Sequence, residues 1–367
     1  IRAVLRLGRP RGLFGWKTIG GTWARPRPAG VHFESYAQDR ALIRTRPQWI
    51  WFAALLATLL LLPLTGSGKI VGVLIVIGIT LVAVVGLQLN SGYAGQINMG
   101  QSAFMGVGAY TCGALAANAG MPIWVTVPAA GLCAAAFGAV FGLAALRIKG
   151  FYLALTTIAA QYIFTFAMLK LPQEWFGRSQ GLRLEPASIG GFVFDTDVRL
   201  YYLVLFFAIV MTTGAWGIAR SRTGRALVAV RDNDNVFRYK TLAFFIGAFY
   251  AGIAGALWAY YVRYVQADQF TLWLSVWYVG MLIVGGMGSI LGAIIGTVVI
   301  RLFQELITVS GPMITELLPA LGGQFVFAAM NMLLGGLIML FVIFEPRGLV
   351  HRWNIAKEGY RIWPFPH

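Results

Sequence analysis

Charge is scarce in this chain. Asp, Glu, Lys and Arg together make up 11% of its 367 residues, where a soluble domain carries roughly a quarter. The few charges also avoid long stretches: none falls at 48–68, 70–146, 150–169, 200–219, 241–262, 269–300 or 317–344. Since about 20 apolar residues span a bilayer, these runs exclude a soluble fold, and the longer ones must hold more than one span. Histidine is scarcer still. His32, His351 and His367 all lie in the terminal stretches, and no group of His, Cys, Asp and Glu has metal-ligand spacing. The two cysteines, Cys112 and Cys133, fall inside separate uncharged runs; they read as packing residues and support no disulfide framework. No Ser occupies a nucleophile elbow and no carboxylates pair within the apolar runs, so the familiar hydrolytic chemistries find no residues. "GLFGWKT" at 12–18 has the outline of a phosphate-binding loop, but Trp16 stands where Gly should precede Lys17 and no apolar strand leads into it. The chain is not expected to be an enzyme, and no cofactor is expected on it.

What the chain has instead is apolar surface, 58% of its residues with a mean hydropathy of +0.73. Proline, glycine and polar punctuation divide it into spans at about 50–64, 70–90, 101–117, 123–146, 150–170, 200–219, 241–262, 272–286, 290–308 and 325–344. The expected fold class is therefore an all-α polytopic membrane protein of about ten transmembrane helices with broken or re-entrant segments. Basic residues set its orientation. With both ends in the cytoplasm, ten crossings put 22 of the 29 Lys and Arg residues on that side, and an odd number of spans would place one basic tail outside, against the positive-inside tendency. The net charge of +16 then sits on the inner face and requires no nucleic acid. Residues 1–49 read as a basic cytoplasmic tail, 50–344 as the membrane domain with a cytoplasmic loop at 220–240 and an outer loop at 171–199, and 345–367 as a second cytoplasmic tail. Because the chain starts at Ile1, a few residues before it are expected, and no cleavable signal pattern is legible.

Ion-coupled carriers keep ionisable residues within the membrane. Here only Arg301 and Glu305 come near, four apart at the outer end of a span, where they are expected to pair with each other. Energy for uphill transport would then have to come from another subunit. Against this background, "NSGYAGQINMGQS" at 90–102 is conspicuous. Gly92, Gly95 and Gly100 each weaken a helix by about 1 kcal/mol relative to Ala, and broken backbone at membrane depth survives only when buried in protein or lining an aqueous cavity. Asn90, Ser91, Tyr93, Gln96, Asn98 and Gln101 offer neutral donors and acceptors to a polar solute. A tight helix crossing is the competing explanation for the glycines. A second interruption, "VGGMGSILG" at 284–292, carries Gly285, Gly286 and Met287; two breaks in corresponding places suggest a diverged internal repeat.

The strings "GYAGQINMGQSAFMGVGAY" (92–110), "RIKGFYLALTTIA" (147–159), "WFGRSQGL" (175–182), "SRTGRALVAVRDND" (221–234), "GAFYAGIAGALWA" (247–259) and "GGMGSILGAIIG" (285–296) together resemble the LivM-type permeases of branched-chain amino acid ABC importers. The resemblance runs in register over 70–349 and is specific for the family, less so for the solute. It implies a bacterial inner-membrane importer in which this permease works with a LivH-like second permease, two cytoplasmic ATPase subunits that bind the ATP, and a periplasmic solute-binding protein. It makes 220–240 the ATPase-coupling segment, with Arg222, Arg225, Arg231, Asp232 and Asp234, where composition alone would equally allow a plain positive-inside loop; 171–199 reads either as a docking surface for the binding protein or as a cap over the spans. In one place the pattern departs: relatives carry a short helix before "NVFRYK", whereas here Asp234 runs directly into Asn235, which reads as a stretch skipped in the sequence or, less readily, as loss of the coupling helix. The alternative expectation is a self-sufficient carrier or channel for a small neutral, urea-like or amide-like solute, with a membrane enzyme a distant third.

Overall fold

The computed structural model describes residues 46–362 except 66, 145–147, 149, 178–179, 190–191, 233–236, 318–331, 333–334, 342 and 346–347. It is almost entirely helical. The longer helices are α1 (Arg46–Thr65), α2 (Gly68–Leu87), α3 (Gln101–Ala119), α4 (Ile123–Ala144), α5 (Phe151–Lys170), α6 (Asp197–Arg220), α7 (Arg222–Asp232), α8 (Phe237–Val262), α9 (Leu272–Gly285), α10 (Ile290–Leu317) and α11 (Leu349–Ile362). Contacts divide the chain into two compact units, one of residues 1–49 and 354–367 and one of residues 50–353. In the first, the described residues are the opening turn of α1 and the end of α11. The second holds the membrane bundle and both helix breaks.

Seven of the described helices are long and apolar enough to cross a bilayer: α2 with its continuation to Tyr93, α4, α5, α6, α8, α9 with the turn before it, and α10. A polytopic membrane protein follows. The remaining three expected spans differ in standing. Helix α3 sits among α2, α4 and α8 as a span would, but its polar start and its glycines dilute its hydropathy. In α1 the apolar part is the shorter Ala53–Pro63. Half of the span expected at 325–344 lies outside the described residues, and so do nearly all of the basic tail, "GLFGWKT" and Asp234.

Helix α8 is the hub, packing on α2, α3 and α4. Its sequence explains why. Gly247, Ala251, Gly255 and Ala259 recur every fourth residue, as do Ala248, Gly252 and Ala256, giving two stripes of small side chains along which neighbouring backbones approach. A Cβ on Gly108 of α3 would lie 2.3 Å from the carbonyl oxygen of Gly252, and one on Gly138 of α4 would lie 2.3 Å from Cβ of Ala248. In lipid, where apolar burial between helices gains little, this close packing is the main source of cohesion.

At the end of the bundle opposite α7, the 171–199 loop is held by two short antiparallel pairings. β1 (Leu182–Arg183) pairs with β4 (Tyr264–Val265), and β2 (Ser188–Ile189) with β3 (Phe192–Val193). Arg263, just after α8, adopts φ 57° and forms an ion pair of 3.0 Å with Asp195. The β1–β4 pair ties this loop to the turn between α8 and α9.

Candidate functional site at the helix break

The charge-free run of α2 does not end at Leu87. It passes into a π-helical segment, Gln88–Tyr93, a coil type in which amides reach back five residues rather than four. The bonds that close it are long: Ala94 N donates to Leu89 O at 3.4 Å and Gln96 N to Asn90 O at 3.3 Å. Gly92 allows the wider coil, since a Cβ there would lie 2.7 Å from the Gln88 amide. Residues 94–100 are irregular, with Gly95 at φ 69°, a conformation open to glycine at no steric cost. Helix α3 then starts at Gln101. The amides leading into it are met from two sides, by Asn98 Oδ1 on Gly100 N at 2.9 Å and by Thr157 Oγ1 of α5 on Met99 N at 2.9 Å, and in its first turn Ser102 N donates to Ser275 Oγ at 2.9 Å.

The expected path residues fall into two groups. Asn98 and Gln101 are engaged. The Asn98 amide donates to Gln101 Oε1 at 3.1 Å, and Gln101 Nε2 donates to the carbonyls of Ala83 at 2.9 Å and Gly247 at 3.3 Å, tying α3 to α2 and α8. Asn90 and Gln96 are the reverse case. Both are buried, yet neither side chain has a partner among the described residues. Of the nine enclosed side-chain atoms left unpaired among the described residues, six lie between residues 88 and 96: Gln88 Oε1, both amide atoms of Asn90, Ser91 Oγ and both amide atoms of Gln96. Each such group costs about 1–3 kcal/mol, and native proteins leave few of them unexplained.

The second break meets the first. Gln88 Nε2 lies 3.5 Å from the carbonyl oxygen of Gly286. That break is otherwise tight: a Cβ on Gly285 would fall 1.8 Å from Gly292 O, so α9 and α10 touch backbone to backbone there, and Gly286 adopts φ 115°. Met287 is 46% exposed, pointing away from the packed turn. The glycines of the second break thus serve close approach, while the first break carries the unpaired amides. The chemistry offered is neutral hydrogen bonding, and among the described residues no three His, Cys, Asp or Glu side chains converge to hold a metal.

Helix α7 closes this region from one side. Leu227, fully buried, clusters with Ala94 and Ala243 and with the half-buried Tyr93 and Tyr239. Arg222 and Arg225 stand exposed on its other face. Arg231 and Asp232 belong to the helix, and their side chains lie outside the described set.

Sequence reasoning did not single out several participants, Thr157 and Ser102 among them. Gln88 sits two residues before the conspicuous string and is the one amide in the run from 70 to 89, a signal in itself. Gln161 and Ser275 build a saturated network with Ser102, whose hydroxyl lies 2.7 Å from Gln161 Oε1 and 2.8 Å from Ser275 Oγ, while Gln161 Nε2 donates to Phe270 O. The expected pairing of Arg301 with Glu305 is corrected. Arg301 donates instead to Thr80 Oγ1, from Nε at 3.0 Å and Nη2 at 2.8 Å, and from Nη1 to Gln304 Oε1 at 3.1 Å. Its position is corrected too: α10 runs to Leu317, so Arg301 lies near the middle of the helix and not at its outer end.

The family model described as branched-chain amino acid transport system, permease component, matches residues 69–343. Among curated proteins, the high-affinity branched-chain amino acid transport system permease protein LivM of Escherichia coli K12 is 27% identical over 338 residues, covering 83% of this chain and 76% of that protein. The protein of the same name from Salmonella typhimurium LT2 is 26% identical with the same coverage. A probable branched-chain amino acid transport permease protein LivM from Methanocaldococcus jannaschii is 27% identical over 231 residues, covering 58% of this chain and 64% of its own length. No solved structure matches significantly.

Proposed function

Because the chain belongs to the branched-chain amino acid transport system permease family, we propose that it is a transmembrane subunit of an ATP-driven importer for branched-chain amino acids or a related small polar solute. It crosses the bacterial inner membrane about ten times with both basic tails in the cytoplasm, in keeping with the positive-inside tendency. Its partners are a LivH-like second permease, two ATPase subunits that carry the nucleotide chemistry, and a periplasmic binding protein that docks on the 171–199 loop.

The observation that carries this reading is the seating of α7 on the break. An ATPase that grips the exposed Arg222 and Arg225, together with Arg231, Asp232 and Asp234, would move a helix whose buried edge, Leu227, rests on Tyr93 and Ala94. Those two residues adjoin Asn90, Ser91, Gly92 and Gln96, the proposed path, while Asn98 and Gln101 brace it and Gly285, Gly286 and Met287 bound it at the second break. Force applied to α7 is thereby delivered to the segment that, among the described residues, holds the most unpaired buried polar atoms.

The test is Leu227→Ala in the assembled transporter, alongside the volume-conserving Leu227→Met. We expect the alanine variant to hydrolyse ATP at the parent rate with uptake reduced about tenfold, and the methionine variant to transport normally. Uptake that falls only in proportion to assembled complex would sink the coupling role. A self-sufficient carrier is the second reading, favoured by two charges near the middle of α10, Arg301 and Glu305. Purified chain alone in liposomes separates the two: gradient-driven accumulation without ATP would establish the carrier.

A further inference from the structure

Arg301 and Glu305 bracket the midpoint of the 28-residue α10. Arg301 has three of its donors placed on neutral oxygens of Thr80 and Gln304 and no carboxylate within ion-pairing distance among the described residues. Thr80 itself lies near the middle of α2, so the guanidinium is held at mid-height by two helices at once. Glu305, one turn further along, has no ion-pair partner among the described residues either. Both side chains are only half-buried. Two unneutralised charges at this depth cannot face hydrocarbon, where each would cost several kilocalories; they face water, a ligand or protein.

The surrounding sequence defines a stripe. Thr297, Arg301 and Glu305 follow one another at four-residue spacing, with Gln304 beside them, and Thr297 carries a buried hydroxyl with no partner among the described residues. The exposed Leu302, Leu306 and Val309 lie beside it and suit lipid. One flank of α10 is therefore polar along its middle turns and the next is apolar, the division expected of a helix that borders an aqueous passage.

We propose that Arg301 and Glu305 form a recognition site for the zwitterionic backbone of an α-amino acid in transit, the guanidinium taking the carboxylate and the Glu305 carboxylate taking the ammonium. This rests on the importer reading above and names the solute class for it. A free anion would satisfy only Arg301 and a free cation only Glu305, whereas a zwitterion neutralises both and adds no net charge to the membrane interior. The two Cα atoms are about 6 Å apart along the helix axis, and the long side chains can converge on one molecule whose two charged groups flank a single carbon. Thr80 and Gln304 orient the guanidinium, which leaves part of its five-donor fork for a ligand.

The experiment uses the complete transporter in proteoliposomes with ATP and leucine-loaded binding protein. Parent uptake of leucine comes first; if it is absent, the importer reading fails before any variant is made. Given uptake, Arg301→Gln and Glu305→Gln are each expected to lower it at least tenfold while binding-protein-stimulated ATP hydrolysis and complex yield stay within twofold of the parent. The exchange pair Arg301→Glu with Glu305→Arg should regain a measurable part of the lost uptake, because a zwitterion can bind in the opposite sense, and Arg301→Lys serves as a charge-preserving check on folding. Uptake within twofold of the parent in both single variants overturns the site. Loss of the second permease from the complex in Arg301→Gln, with retention in Arg301→Lys, overturns it too, by identifying an acidic group of that subunit as the counter-ion.

Discussion

Gly255→Val is expected to yield no assembled membrane bundle. A Cβ at this position would lie 1.9 Å from the carbonyl oxygen of Met105 and 2.9 Å from the amide of Ala109. Both are backbone atoms of α3, so no rotamer change relieves the clash. The helices would have to part by more than an ångström along a seam that also includes Gly108 and Gly252. Since α8 simultaneously packs on α2 and α4, the displacement spreads through the bundle, and the loss should exceed the about 1–3 kcal/mol of ordinary overpacking. Gly217→Val in α6 is the control, for a Cβ there meets nothing within 4 Å. Size-exclusion profiles and thermal unfolding of the two purified variants would decide. A folded, monodisperse Gly255→Val protein would show that the α3–α8 crossing is looser than its geometry implies.

Asn90→Leu combined with Gln96→Leu should do the opposite to stability and function. The double variant removes four unpaired buried polar atoms, so the bundle should unfold at the same temperature or higher. Uptake should nevertheless fall at least tenfold, because a solute that crosses the break loses the hydrogen bonds that replace its hydration. Gln101→Leu should show the reverse pattern: it strips partners from the carbonyls of Ala83 and Gly247 and lowers the unfolding temperature, with uptake per assembled complex preserved. If the double variant transports at the parent rate, the unpaired amides have no part in the path.

The spans were legible because a bilayer imposes one strong rule, and the absence of charge from 70–146 or 241–262 is read directly off the chain. So was the interruption after α2, where glycines and amides gather. What sequence could not separate was Asn90 and Gln96 from Asn98 and Gln101. All four are amides in one short string, and their difference lies in partners far along the chain: Gly247 is 146 residues from Gln101. The same holds for Arg301. An i,i+4 acid is the local partner that sequence suggests, yet the guanidinium turns to Thr80, 221 residues away, on a helix whose adjacency to α10 nothing local encodes. The π-helical turn was hidden for a related reason, since Gln88 to Tyr93 contain no residue that forbids an ordinary α-helix.

The break is built with unequal stiffness at its two ends. Downstream, Met99, Gly100 and Ser102 are each held by a side-chain oxygen at 2.9 Å, from Thr157, Asn98 and Ser275 respectively, so the start of α3 behaves as a fixed footing shared with α5 and α9. Upstream, the bonds that close the turn from Leu89 to Gln96 are longer, 3.3 and 3.4 Å, and Gly95 lies within it. A load that the proposed ATPase partner places on α7 would reach Tyr93 and Ala94 on the longer-bonded side, and the strain would be taken up between Gln88 and Gln96 while α3 stays where it is. The bundle concentrates its capacity for displacement in one turn of backbone, much as a spring clamped at one end flexes only along its free length.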